Sequence, residues 1–242
     1  MKHEKIIKEI KKFLAENANP KIVQKYSRYF KDGYDAYGIS QDIWEKQKQH
    51  WIDRWKDTLG LDGFLELGDE LFKSGKYEEG SLAFIFLLPF QKKWTKRTIE
   101  HVGKWLENDV QNWAHTDVIC AKLTSPALSD RIILLSDLAK WRESKSKWKR
   151  RAVPVTMLIL LKQIDDYTPL LDFITPMMMD AQREVHQGLG WFLREAWKIK
   201  PKQVESFLLK WKDKAPRLIF QYATEKMTAE NKERFRRDKK KK

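Results

Sequence analysis

The sequence predicts an all-α protein, and three observations support that fold class. Apolar residues recur at the three- and four-residue spacing of amphipathic helices through most of the 242 residues. Helix stop and start signals, such as Asn17 to Pro20 and Ser125-Pro126, separate these segments. Finally, no stretch shows the alternation of apolar and polar residues, bounded by hairpin dipeptides, that predicts paired strands.

The predicted helices follow the chain in order. Ile6 to Leu14 has apolar residues at helical spacing among lysines, and a second short helix runs from Pro20 to Phe30. Residues 31–39 form a turn-rich loop with two glycines, after which Ser40 begins a helix. That helix carries tryptophans at positions i, i+7 and i+11, namely Trp44, Trp51 and Trp55. Further helices are predicted at residues 61–73, 77–88, 94–108, 112–122, 127–139, 147–162, 167–175, 178–197, 201–212 and 215–227.

The spacing of these helices favours a repeat architecture. Helices joined by short turns, recurring in pairs of about 35–45 residues, are typical of a HEAT-like or armadillo-like solenoid. Composition alone favours an irregular α-bundle equally. Because no linker is apparent, we expect a single α-helical repeat domain over residues 1–232. A basic, disordered tail is expected at residues 233–242.

The amino-acid composition limits the classes of partner that the protein is expected to bind. With 42% hydrophobic residues the chain is not a disordered one. The net charge of +14 points to an acidic partner, nucleic acid first and an anionic membrane second. No signal peptide is apparent, and the longest apolar run, residues 82–90, is too short to span a bilayer. We therefore expect a cytoplasmic protein.

Cysteine and histidine usage argues against a metal or other cofactor. Cys120 is the only cysteine, which excludes an internal disulfide and a cysteine-based zinc site. His101 and His186 have no partners at ligand spacing, and no HExxH motif occurs. No glycine-rich phosphate loop is present either, so we expect no cofactor.

One segment suggests a site. Trp113 and Asp117 stand four residues apart, so they share one face of a helix. An aromatic face beside a carboxylate, inside a positively charged molecule, suits a cationic group on a polyanion. A methylated base in DNA is such a group. Taken singly, Trp113 is more often a core residue and Asp117 a solvated surface acid.

Three ordered motifs resemble the AlkD-like DNA alkylation repair glycosylases. They are Asn112-Trp113-x-x-x-Asp117, then Trp148-Lys149-Arg150-Arg151-Ala152-Val153, then Gly188-Leu189-Gly190-Trp191-Phe192-Leu193-Arg194-Glu195. Tyr29-Phe30-Lys31 and Tyr37-Gly38-Ile39 are also similar to the family's early segment. The resemblance covers residues 20–225 and implies HEAT-like repeats around a concave basic groove that binds DNA.

The resemblance also implies an activity and its residues. The family excises cationic N3- and N7-alkylated purines, and Asp117, Trp113 and Trp191 match its catalytic positions. Arg151 is a better match than Arg150 to the family's DNA-binding arginine, and Lys149 precedes them on the same basic segment. The implied protein is a monofunctional DNA glycosylase, a monomer acting on double-stranded DNA with alkylated bases.

The chemistry suits these residue types. A carboxylate at Asp117 would stabilise the oxocarbenium character of the sugar, and indole faces would attract the cationic lesion by about 0.5–2 kcal/mol. This chain departs from the family pattern at Ala114 and Thr116, where a second acid and an apolar residue are common. The alternative is therefore a non-catalytic solenoid that binds DNA or an acidic protein. A pure binder would tolerate Asp117→Asn, whereas the enzyme would not.

Overall fold

The structure, a computed structural model, describes residues 2–238, which are helical with no strand in that range. The α-helices are α1 Lys2–Glu16, α2 Pro20–Ser27, α3 Gln41–Phe72, α4 Tyr77–Ile85, α5 Lys96–Asn108, α6 Trp113–Ile119, α7 Ser125–Ser129, α8 Lys147–Met157, α9 Thr168–Ile174, α10 Arg183–Ile199, α11 Pro201–Trp211, α12 Arg217–Ala223 and α13 Ala229–Glu233. A π-helical turn follows α6, and shorter 3₁₀ segments occupy Leu88–Lys93, Leu135–Glu143, Leu158–Lys162 and Thr175–Met177. Among these helices, none has the length and apolar character needed to cross a membrane.

Local sequence signals explain several helix ends. The Asn19 side chain accepts a hydrogen bond from the Lys21 backbone N–H at 3.0 Å and so caps α2. Thr95 and Thr98 form a capping box at the start of α5. Inside α3, Gly60 has φ of 64°, a left-handed conformation that interrupts the helix. The predicted boundary between the tryptophan-bearing helix and the helix at 61–73 is confirmed there.

Two predicted helices were wrong in extent. The one at 127–139 ends at Ser129, because Arg131 adopts a left-handed φ of 58° and the chain resumes as the 3₁₀ segment Leu135–Glu143. The one at 178–197 begins only at Arg183. There the Asp180 carboxylate accepts a hydrogen bond from the Gln182 backbone N–H at 2.7 Å, which holds a turn before α10. Both errors come from turns without glycine or proline at the turning residue.

The described chain divides into two compact units between His115 and Thr116. In the first unit the core is built around large buried aromatics: Trp51, Phe64, Phe86 and Trp105. Trp51 stacks on Trp55 with ring centroids 5.9 Å apart, so these two tryptophans are core residues. In the second unit the corresponding residues are Tyr167, Phe192, Phe220 and Phe235.

Within each unit, side-chain hydrogen bonds recur at a nearly constant sequence separation. In the first unit Trp105 Nε1 donates to Asp69, 36 residues away. In the second, Gln163 Nε2 donates to Ser129 over 34 residues, and Gln187 Nε2 to Tyr222 over 35. Bonds at this spacing are expected when equivalent helices of successive repeats stack on each other. They indicate a repeat of about 35 residues, near the lower end of the predicted range.

The start of the predicted tail is packed. Phe235 is fully buried, its carbonyl accepts a hydrogen bond from Arg217 Nη1 at 2.8 Å, and Arg237 Nη2 donates to the Ala215 carbonyl at 3.1 Å. A disordered tail beginning at residue 233 is therefore wrong for residues 233–238, because an apolar anchor sits among the basic residues. Residues 239–242 lie outside the described residues.

Candidate functional site

Helix α6 carries both residues of the motif that first suggested a site. The Asn112 side chain accepts a hydrogen bond from the His115 backbone N–H at 2.8 Å, which starts the helix at Trp113. Asp117 follows one turn later on the same helix. The boundary between the two units falls within this helix, so the surroundings of Trp113 and Asp117 belong to different units.

In the first unit, Trp113 belongs to an aromatic cluster at the surface. Its indole N–H donates to the Tyr29 carbonyl at 3.1 Å, and its ring stacks on Phe30 with centroids 5.6 Å apart. Phe30 in turn stacks on Tyr34 at 4.5 Å. Trp113 remains 40% exposed, so it is a fixed aromatic surface and not the core residue that its type alone would favour. Sequence reasoning missed Phe30 and Tyr34 as its support, although aromatic residues are dense between residues 26 and 37.

His115, to which the sequence assigned no role, is a buried structural residue. Its Nε2 lies 3.0 Å from the Tyr77 carbonyl and 3.1 Å from Ser81 Oγ, and its Nδ1 lies 3.2 Å from the Asn112 amide nitrogen. A carbonyl only accepts, so the ring is the tautomer with its proton on Nε2. Gly80 makes room for it, since a Cβ there would lie 2.8 Å from the ring. Burial lowers the pKa of His115 to about 4.

The stability of the protein is expected to fall in mildly acidic solution because of His115. The folded state keeps the imidazole neutral, whereas the unfolded chain takes up a proton near its ordinary pKa of 6.5. The neutral His115 therefore contributes its full share to the free energy of unfolding above pH 6.5, and this contribution is lost as the pH falls towards 4. The lowered pKa corresponds to a decrease on the order of 3 kcal/mol in the free energy of unfolding between pH 6.5 and pH 4.

Urea unfolding at several pH values between 4 and 7 measures this effect. His115→Gln replaces the ring by a neutral amide, and its free energy of unfolding should change less with pH than that of the wild type. Equal pH dependence in both proteins would contradict the assignment. Substitution of the half-buried His186 to Gln serves as the matched control.

In the second unit, Asp117 forms a bidentate ion pair with Arg151. Arg151 Nε donates to Oδ1 at 2.9 Å and Nη2 donates to Oδ2 at 2.8 Å. The third guanidinium nitrogen, Nη1, donates to the Glu184 carbonyl at 2.8 Å. The arginine side chain is 7% exposed and the aspartate side chain 16% exposed. Asp117 is therefore the more exposed member of the pair.

Parallel packing of two segments aligns this pair. Cys120 Sγ donates to the Ala152 carbonyl at 3.6 Å, and Ser125 Oγ donates to the Thr156 carbonyl at 3.0 Å. The similar separations of 32 and 31 residues mean that the segment after α6 runs in the same direction as α8. That register sets Asp117 opposite Arg151. Burial raises the pKa of Cys120 to about 12, which makes the thiol unreactive at neutral pH.

Trp191 lies on α10, whose first turn contacts Arg151. Two glycines allow its close packing. A Cβ at Gly188 would lie 3.3 Å from the Arg151 side chain, and one at Gly190 would lie 2.8 Å from the Ile219 carbonyl on α12. Because Trp191 is seven residues after Glu184, it lies two turns along the same face of α10. It is half-buried there.

The other two predicted DNA-binding residues are placed differently. Arg150 donates from Nε to Asp180 at 2.6 Å and from Nη1 to the Ser144 carbonyl at 2.6 Å, with its side chain 14% exposed. Lys149 Nζ lies over the Trp141 ring, 5.5 Å from its centroid. The structure thus brings Arg151 to Asp117 and places Arg150 in a separate ion pair. Sequence reasoning did not identify Asp180 or Glu184 as partners.

Residues 2–238 contain no group of three or more histidine, cysteine, aspartate or glutamate side chains placed to hold a metal ion.

Most of the chain matches one known protein family. Residues 10–227 match the family model described as DNA alkylation repair enzyme. A solved structure described as a predicted DNA alkylation repair enzyme from Enterococcus faecalis is similar with a TM-score of 0.75 and 14% identity, covering 88% of this chain and 98% of that chain. AlkD2 from Streptococcus mutans gives a TM-score of 0.58 and 18% identity, over 87% of this chain and 99% of that chain.

A third solved structure, smu.31 from Streptococcus mutans UA159, gives a TM-score of 0.57 and 18% identity, covering 76% of this chain and 92% of that chain. No curated protein matches the sequence significantly. At these identities the structural matches establish the fold alone. They confirm the predicted all-α, helical-repeat fold class.

Proposed function

The chain belongs to the DNA alkylation repair enzyme family, and from that premise we propose that it is a monofunctional DNA N-glycosylase that excises cationic N3- and N7-alkylpurines. The carboxylate of Asp117 carries this proposal. It is partly exposed and is held in place by two hydrogen bonds from Arg151. Arg151 offsets part of the charge of Asp117 and fixes its orientation, and a carboxylate held in place in this way can stabilise a developing sugar cation.

The proposed reaction is hydrolysis of the glycosidic bond. Alkylation at N3 or N7 gives the purine a positive charge, so the base leaves with the bonding electron pair as a neutral molecule. Positive charge then builds on C1′ of the deoxyribose, where the Asp117 carboxylate stabilises it. Water adds its oxygen to C1′ and releases a proton to the carboxylate or to solvent. No lysine nucleophile takes part, so no lyase step follows.

The two tryptophans are proposed to bind the cationic lesion or its sugar. Trp113 has one ring face covered by Phe30 and is 40% exposed, which leaves a π surface for a cation. Trp191 is half-buried on the helix that contacts Arg151. Each offers an attraction of about 0.5–2 kcal/mol, depending on how far the cation is desolvated.

Arg151 is assigned a different role from the one that the sequence suggested. All three guanidinium nitrogens are engaged within the protein, so a phosphate would have to compete with the Asp117 carboxylate and the Glu184 carbonyl. We therefore propose that Arg151 positions Asp117. Arg150 is likewise engaged by Asp180. Lys149 is proposed as a DNA-binding residue on the family resemblance alone.

Affinity for duplex DNA is expected to fall steeply with salt. The net charge of +14 implies phosphate contacts by lysine and arginine, and each contact releases a counterion. For six or more contacts the affinity should fall by about a thousandfold between 50 and 200 mM salt. Fluorescence anisotropy with an unmodified duplex measures this. The concave basic groove implied by the family resemblance would be wrong if affinity hardly changed, or if no binding occurred at low salt.

Release of free base from methylated duplex DNA, detected by mass spectrometry, tests the proposed activity directly. We expect 7-methylguanine and 3-methyladenine to be released and uracil to be retained, because the site supplies no acid to activate an uncharged leaving base. Comparable release of uracil would contradict the mechanism. A protein that binds duplex DNA but releases no cationic base would instead be the non-catalytic binding solenoid. We also propose that the protein is cytoplasmic and monomeric.

A further inference from the structure

Helix α10 presents one face between two neighbouring helices. On one side, the Glu184 carbonyl accepts a hydrogen bond from Arg151 of α8, and Gly188 lets that arginine approach. On the other side, Gly190 lets α12 approach at the Ile219 carbonyl. The half-buried face between them contains Gln187 and Trp191, four residues apart.

Gln187 connects this face to α12. Its Nε2 donates to the hydroxyl of Tyr222 at 2.8 Å. A tyrosine hydroxyl that accepts such a bond still has one proton to donate. Among residues 2–238, the bond from Gln187 is the one hydrogen bond described for that hydroxyl. Both side chains are half-buried, so the hydroxyl is partly accessible to solvent.

Two arginines of α10 lie near this face, the exposed Arg183 four residues before Gln187, and Arg194. Arg194 lies three residues after Trp191, and it pairs with Glu225 and, at 3.1 Å, with Glu195. Tyr222 adds an uncharged donor to this face. Tyrosine hydroxyls are among the groups that contact DNA phosphates without reading sequence.

We propose that Gln187 and Tyr222 form a neutral subsite for a phosphate oxygen of the DNA strand that passes Trp191. Tyr222 donates its hydroxyl proton to the phosphate, and Gln187 sets the orientation of that hydroxyl. The subsite rests on the proposed DNA glycosylase function, because it lies on the helix face that carries Trp191. It fixes the position of the strand and adds no charge.

Binding of an unmodified duplex by Tyr222→Phe tests the subsite. The phenyl ring keeps the packing against Gly190 and loses only the hydroxyl. We expect the dissociation constant to rise by about three- to tenfold, the size of one hydrogen bond. The slope of log affinity against log salt should stay that of the wild type, because no counterion is released at a neutral contact.

Gln187→Ala should weaken binding in the same direction, since the hydroxyl then loses its orientation. The matched control is Gln163→Ala, which removes a similar amide-to-hydroxyl bond, to Ser129, at a position outside the proposed site. The affinity of Gln163→Ala for the duplex should equal that of the wild type. Thermal unfolding of Tyr222→Phe, Gln187→Ala and Gln163→Ala checks that each variant folds.

Wild-type affinity in Tyr222→Phe, or a salt slope that drops by about one contact, would overturn the subsite while leaving the glycosylase proposal intact. A wild-type protein that binds no duplex overturns both.

Discussion

Asp117→Asn is expected to lower the excision rate of 7-methylguanine by at least about tenfold, equivalent to roughly 1.4 kcal/mol of transition-state stabilisation. The amide keeps the size of the side chain and removes the negative charge that stabilises the sugar cation. It also offers Arg151 only one acceptor in place of two carboxylate oxygens. Single-turnover release of base at saturating protein measures the chemical step.

Two controls separate catalysis from folding and binding. The affinity for an unmodified duplex should change little, since Asp117 is not proposed to contact phosphate. Thermal unfolding of Asp117→Asn reports the cost of weakening a largely buried ion pair, and rates are compared at a temperature where the variant is folded. Full activity on 7-methylguanine in the folded variant would defeat the mechanism.

Arg151→Ala is expected to have the larger effect on stability, about 3–5 kcal/mol, because it leaves the mostly buried Asp117 carboxylate without its partner. It also leaves the Glu184 carbonyl without its donor. Excision should be lost with the position of the carboxylate. Arg151→Lys keeps the positive charge but not the bidentate geometry, so it should fold better than Arg151→Ala and still excise more slowly than the wild type.

Arg142→Ala is the matched control for the stability measurement. Arg142 Nη1 donates to the Phe173 carbonyl at 2.7 Å, so its removal also breaks an arginine-to-carbonyl bond. The free energy of unfolding should fall much less than in Arg151→Ala. Equal losses in the two variants would show that the ion pair with Asp117 contributes nothing beyond ordinary arginine packing.

Helix spacing predicted the fold class, and the predicted start of a helix at residue 61 matches the break at Gly60. The turn at Arg131 was missed because an arginine in a left-handed conformation carries no sequence signal. The packing of Phe235 was missed because the basic residues around it suggested a solvated tail.

By itself the sequence determined the helical class and the basic charge, because helical periodicity and composition are local properties. Its motifs proposed the candidate site residues through a family resemblance. Only the tertiary structure decided what each side chain contacts. Two adjacent arginines with the same chemistry have different partners, since Arg151 points to Asp117 and Arg150 to Asp180. Likewise, Gln187 and Tyr222 are 35 residues apart, and their contact exists because helices of successive repeats pack against each other. Such pairings depend on which faces the helices bury, and no local pattern encodes them.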